Sequence, residues 1–149
     1  MVLFGDEHKS LWDIAETNLK AIVGDGDFSG TAQKMYGFRA GAGTVLYFED
    51  QNDVKLLQEQ FALYADNFPV WAEHTNALHQ YAIWTSLHEM GVGANLQHYA
   101  PVFEQDVADA FKIPSNWKLI AQMPFGGIVA PAGDKEFKPV SERLRVLGQ

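Results

Sequence analysis

Apolar residues in the first part of the chain recur at helical spacing. Leu11, Trp12, Ile14, Ala15, Leu19 and Ile22 predict a helix from about Lys9 to Val23. Gly24-Asp25-Gly26-Asp27 stops it. A second helix is expected from Ser29 to Phe38, closed by Gly41-Ala42-Gly43. Thr44-Val45-Leu46-Tyr47-Phe48 is a β-branched and aromatic run between glycine and Glu49-Asp50, which predicts a buried strand. Val2-Leu3-Phe4-Gly5, at the start, reads as the end of another buried strand. A helix from about Asn52 to Leu63 follows, then a turn over residues 64–69.

Pro69 suits the first turn of a long helix, Val70 to Met90. On a helical wheel Val70, Ala77, Tyr81 and Trp84 share one face. Trp71, Leu78 and Ala82 lie beside them, and Ile83, Leu87 and Met90 lie roughly opposite. A helix that is apolar nearly all round is buried on most sides, and in a chain this small that points to a partner subunit. Gly91 is a natural C-cap. Val92 to Gln97 reads as a short strand, and Val102 to Phe111 as an amphipathic helix ended by Ile113-Pro114. Trp117 to Met123 reads as a strand running into Pro124, with residues 125–137 as loop. The last segment, Pro139 to Leu147, carries Arg143 and Arg145, two of the three arginines. Helices alternating with few strands predict a layered α/β or α+β fold.

Length and composition narrow this picture. The chain has 149 residues, which suits one domain. With 11 Lys+Arg against 19 Asp+Glu the formal charge is −8, which disfavours nucleic acid and anionic lipid as partners. There is no cysteine, so disulfides, thiolate metal sites and thiol nucleophiles are excluded. No apolar run reaches the roughly 18 residues of a spanning helix, and the start lacks the basic and apolar regions of a signal peptide. The expectation is a soluble cytoplasmic protein. Aromatic residues make up 13%, enough for some rings to line a site or an interface.

Most candidate chemistry fails on spacing. His74 and His79 lie about 140° apart on the long helix, and His79 and His88 about 180°, so no pair has zinc-binding geometry. Surface or interface histidines are the simpler reading. Gly91-Val92-Gly93 follows a helix, the reverse of a dinucleotide loop. No serine sits in a nucleophile elbow. Glu104/Asp106 and Asp13/Glu16 are expected on solvated helix faces. What remains is Gly91-Val92-Gly93-Ala94-Asn95-Leu96-Gln97-His98-Tyr99. Small residues there let another group approach the backbone, and an amide, an imidazole and a phenol follow. Such a ledge suits a flat heteroaromatic ligand; a strand end with a polar turn is the simpler reading.

Three stretches carry a resemblance: residues 63–71 (Leu-Tyr-Ala-Asp-Asn-Phe-Pro-Val-Trp), residues 91–99, and residues 117–126 (Trp-Lys-Leu-Ile-Ala-Gln-Met-Pro-Phe-Gly). In this order they resemble the nitroreductase family of FMN-dependent oxidoreductases. The nearest branch holds the yeast fatty-acid-repression protein and bacterial copper-induced nitroreductases. Residues 2–5, 43–50 and 136–143 fit the same pattern, so the likeness covers nearly the whole chain. It implies a single domain over 1–149 with a three-layer α+β fold, a central mostly antiparallel sheet flanked by helices. It also implies a homodimer with FMN at the subunit interface and the long helix packed across it. Electrons would pass from NAD(P)H through the flavin to nitroaromatic or quinone-type acceptors, with no acid–base residue required.

Carried over residue by residue, the resemblance lays Leu96, Gln97 and His98 along the isoalloxazine ring, with Tyr99 adjacent. A backbone N–H beside flavin N5 would tune hydride acceptance. Arg143 is the first candidate for the FMN phosphate and Arg145 the second, because an arginine fork suits phosphate. The alternative for Arg143 is a surface residue beside Glu142. Phe68 and Trp71 would cover the flavin or pack the dimer. The family pattern opens with a helix bearing an R-R-T-like motif and a loop resembling S-F-N-S-Q. This chain begins at the strand after them, so part of the phosphate and ribityl contacts is expected to be missing. A competing reading is therefore a flavin-free homodimeric interaction module that keeps the fold.

Overall fold

The computed structural model describes residues 1–148. Four strands form one antiparallel sheet: β1 (Val2–Phe4), β2 (Gly43–Asp50), β3 (Val92–Ala94) and β4 (Trp117–Gly127), in the order β1-β2-β4-β3. The central pair β2–β4 is covered on both faces, which is why β2 reads as a continuous apolar run rather than an alternating one. On one face, Leu46 and Leu119 pack with Leu11, Trp12 and Ala15 of α1 (Gly5–Val23), Met35 of α2 (Ser29–Arg39), and Phe103 and Val107 of α5 (Ala100–Phe111). On the other, Val45, Tyr47, Ala121 and Met123 pack with Leu87 of α4 (Phe68–Glu89) and with Leu96. The result is a three-layer α+β architecture, helices–sheet–helix. α3 (Gln51–Gln60) and a 3-10 turn (Ala62–Asn67) lead into α4.

Leu119 and Ala121 have the same parity yet serve opposite faces. The register shift between Tyr47 and Phe48 explains this, since Tyr47 pairs with Ala121 and Phe48 with Leu119, leaving Ile120 as the extra residue of a bulge.

Several boundaries differ from the sequence expectation for physical reasons. Helix α1 starts at Gly5, not near Lys9. Gly5 takes φ +56°, and Asp6 and Glu7 then sit in the first turn, where carboxylates complement the helix dipole. β1 is an edge strand, not a fully buried one. Leu3 is 6% exposed, but Val2 and Phe4 are half-exposed on the uncovered face. Helix α3 stops at Gln60, the 3-10 turn begins at Ala62, and Phe68 and Pro69, expected in the turn, already form the first turn of α4. β4 does not stop before Pro124. The Pro124 carbonyl accepts from Asn95 N–H at 3.0 Å, so its nitrogen faces the same way, past Ala94 where the β3 ladder has ended. Only the return bond to the Asn95 carbonyl is missing there, the β2–β4 ladder is unaffected, and the expected loop begins after Gly127.

His8 is structural, and so are Asp13, Glu16 and Glu104, which were expected on solvated helix faces. His8 is 2% exposed, and Nε2–H donates to the Arg39 carbonyl at 3.2 Å. Its Nδ1 therefore accepts from the Thr44 hydroxyl at 2.9 Å, while Trp12 Nε1–H donates to the same Oγ1 at 3.0 Å. Asp13 and Glu16 are not merely solubilising. Both pair with Arg39, whose guanidinium is held above its ordinary pKa chiefly by Glu16. The Arg39 Nε–Asp13 contact is 2.7 Å, an ion pair whose angle falls short of a hydrogen bond. Glu104 accepts from Leu119 N–H at 2.8 Å, tying α5 to β4.

Helix α4 is oriented against simple expectation. Its two buried residues are Asn76 and Gln80. Asn76 Nδ2 donates to the Phe48 carbonyl at 3.0 Å and to Glu49 Oε2 at 2.9 Å, and Gln80 donates to Asn76 Oδ1 at 2.8 Å. Val70, Trp71, Leu78, Tyr81 and Met90 point outward and are exposed within the single chain.

Candidate functional site

Helix α4 ends at Glu89, and Gly91 reverses the chain at φ +75°, with its N–H bonded to the His88 carbonyl at 2.9 Å. The chain then forms β3 and runs on in extended form beside β4. Gln97 makes a two-way bridge with Gln122, N–H to carbonyl at 2.7 Å and 2.9 Å. Tyr99 N–H donates to Gln122 Oε1 at 2.8 Å. Along an extended strand the N–H groups point alternately to either side. Those of Leu96 and His98 therefore face away from β4, and among the described residues they have no acceptor. The ledge expected at residues 96–99 thus presents two free backbone donors on an open edge.

Its side chains are divided. Leu96 packs into the core beneath α4. Tyr99 packs against Trp12 and Phe103 on the opposite face, and burial raises its phenol pKa. Gln97 Nε2 turns back to Asn95 Oδ1, and His98 is exposed. Two clefts adjoin the ledge. One, of about 410 Å³, includes Asn95, Phe38, Phe125 and Lys34 among its lining residues. The other, of about 550 Å³, includes His98, Gln80, Glu73 and Lys118, with Lys118 paired to Glu73 at 3.1 Å.

The glycines near the ledge are explained within the chain. A Cβ on Gly93 would lie 3.0 Å from Ile128 Cγ1, and one on Gly126 would lie 3.0 Å from Ala42 N. At Gly126 the crowding atoms are backbone, so only glycine fits, whereas at Gly93 the close neighbour is the Ile128 side chain.

Phe68 and Trp71 lie together, with ring centroids 5.3 Å apart at 83°, in an aromatic cluster with Phe61 and Tyr64 at the start of α4. They line neither cleft beside the ledge. Arg143 and Arg145 lie in the exposed stretch after β4, next to a single 3-10 turn (Val140–Glu142). Among the described residues neither forms an ion pair, Arg143 with Glu142 included. Arg39, the third arginine, is neutralised by two carboxylates.

Gln122, Lys34, Phe38 and Phe125 were not singled out from the sequence. For Gln122 a signal existed. It is the one polar residue in Leu119-Ile120-Ala121-Gln122-Met123, and a polar side chain inside a buried strand must find partners.

The architecture, a layered α+β fold with an open backbone ledge beside its sheet, is that of an oxidoreductase of nitroreductase type. The pattern described as Nitroreductase family matches residues 6–127, and the chain belongs to that family. Among solved structures it is similar to nitroreductase CinD from Lactococcus lactis, with 47% identity, a TM-score of 0.92, and coverage of 99% of this chain and 75% of that one. CinD has been solved with nicotinic acid, with chloramphenicol and with 4-nitrophenol. The chain is also similar to two Saccharomyces cerevisiae proteins, HBN1 at 31% identity and nitroreductase FRM2 at 29%. Each match covers 92% of this chain and 67% of the relative.

Proposed function

We propose that the protein is an FMN-dependent oxidoreductase that takes electrons from NAD(P)H and passes them to nitroaromatic or quinone-type acceptors. The observation that carries this reading is the pair of free N–H groups at Leu96 and His98, on a ledge held to β4 from behind. Flavin, when bound, supplies the hydride and electron chemistry, and the protein supplies position and electrostatics.

The residues fit such a group. Leu96 and His98 offer backbone donors to a flat heteroaromatic edge. Phe38 and Phe125 supply apolar cleft walls next to Asn95. Arg143 and Arg145 are free of competing carboxylates among the described residues, so both are available to a phosphate. The acceptor class is supported by the aromatic compounds found with CinD.

The working form is a homodimer. Helix α4 satisfies its polar side chains against its own sheet and turns Trp71, Leu78, Tyr81 and Trp84 outward. An exposed apolar face of that kind is an association surface. The test of function is oxidation of NADH or NADPH by FMN-loaded protein, with 4-nitrophenol, chloramphenicol and a quinone offered in turn. Oxidation that none of the three accelerates would refute the acceptor assignment.

A further inference from the structure

Gln122 is fully buried, and its two ends are treated differently. Oε1 accepts from Tyr99 N–H at 2.8 Å, while Nε2 has no partner. Its backbone exchanges both hydrogen bonds with Gln97. One residue of β4 therefore holds the ledge at positions 97 and 99, on either side of His98. That double attachment sets which way the intervening His98 N–H faces. A buried amide donor left unpaired is unfavourable. An apolar side chain at 122 would remove that penalty but leave Tyr99 N–H without an acceptor. The structure thus keeps a locally costly amide whose only side-chain bond goes to the ledge.

We propose that Gln122 is a positioning residue for the flavin ledge, acting through the Tyr99 and Gln97 backbone to aim the His98 N–H at the bound ring. This rests on the functional reading that FMN lies at residues 96–99. Gln122 touches no ligand; its role is to keep the donor fixed. A loosened ledge binds oxidised flavin less well. If reduced flavin is less affected, the two-electron potential rises, by about 30 mV for each tenfold difference in affinity.

The test uses Gln122→Met, which conserves volume and removes the acceptor, and Gln122→Glu, which keeps an acceptor oxygen. Amide hydrogen exchange is measured first, without flavin. In Q122M the Tyr99 amide should exchange at least tenfold faster while the amides of Leu46 and Met123 keep their protection, and Q122E should restore Tyr99. Unchanged Tyr99 exchange in Q122M, or no rescue in Q122E, overturns the proposal. FMN is then titrated by fluorescence, and the flavin potential is measured. Q122M should weaken FMN about tenfold and raise the potential, with both values returning toward wild type in Q122E. If affinity and potential stay at their wild-type values while Tyr99 exchange rises, Gln122 has no role toward the flavin and the proposal fails. If the wild-type protein takes up no FMN, the functional reading fails and the flavin role fails with it. The exchange result still reports on the ledge itself.

Discussion

The imidazole of His8 lies 2.9 Å from the Thr44 hydroxyl, buried between α1 and the sheet, with its other nitrogen donating to the Arg39 carbonyl. Every hydrogen in this cluster has one place to go. Trp12 N–H points to Thr44, Thr44 O–H to His8 Nδ1, and His8 Nε2–H to Arg39. A proton on Nδ1 would face a hydroxyl already donating toward it. Burial accordingly lowers the His8 pKa below its ordinary 6.5.

Stability should therefore depend on pH through His8. The unfolded chain takes up a proton as pH falls through 6.5, while the folded chain resists until a lower pH. His8 thus contributes stability that is fully present above about 6.5 and lost progressively below it. Thermal melts between pH 8 and pH 5 should show a falling Tm, and His8→Asn should flatten the part of that fall just below 6.5. Parallel slopes in the two proteins would remove His8 as the cause.

Gly43 cannot accept a side chain. A Cβ there would lie 2.7 Å from the Leu3 carbonyl and 2.8 Å from Phe125 Cζ, at the junction of β1, β2 and β4. Gly43→Ala should destabilise the fold by about 1–3 kcal/mol, as overpacking does. Urea unfolding checks this, and Gly127→Ala, which meets nothing within 4 Å, serves as the control.

The outward face of α4 should control assembly. Leu78 and Tyr81 are each 68% exposed in the single chain. Sedimentation of the wild type should give a dimer, and Leu78→Glu with Tyr81→Glu should give a monomer that keeps its far-ultraviolet spectrum. A double variant that remains dimeric would place the interface elsewhere.

Arg143→Ala should weaken FMN by about 1.5–3 kcal/mol if the guanidinium makes a charge-assisted bond to the phosphate. Arg145→Ala should cost less. The affinities come from quenching of flavin fluorescence. Equal, wild-type affinity in both variants would leave Arg143 as a surface residue.

Much of the architecture was legible in the sequence where local pattern and tertiary role agree. Thr44 to Phe48 is apolar on both sides because both sheet faces are covered. The apolar wheel of α4 did not say which side meets the sheet: the face buried there is the polar one, Asn76 and Gln80, while Trp71, Leu78 and Tyr81 are exposed in the single chain. Other features depend on contacts distant in sequence. Arg39 with Asp13 and Glu16, Glu104 with Leu119, and His8 with Thr44 are read only once the helices are placed. Pro124 looked like a strand terminator because the sequence does not say which neighbour its missing N–H would have faced. At the site, residues 96–99 stood out by composition. Their division into tied and free N–H groups follows from pairing with Gln122, which no local motif encodes.

The central claim is tested most directly by the visible absorption spectrum of the purified protein, before and after FMN is added and the excess removed. The account predicts a retained flavin band, shifted from that of free FMN and bleached by NADH or NADPH without oxygen. A protein that stays colourless after loading would contradict it and favour a flavin-free homodimeric module with the nitroreductase fold.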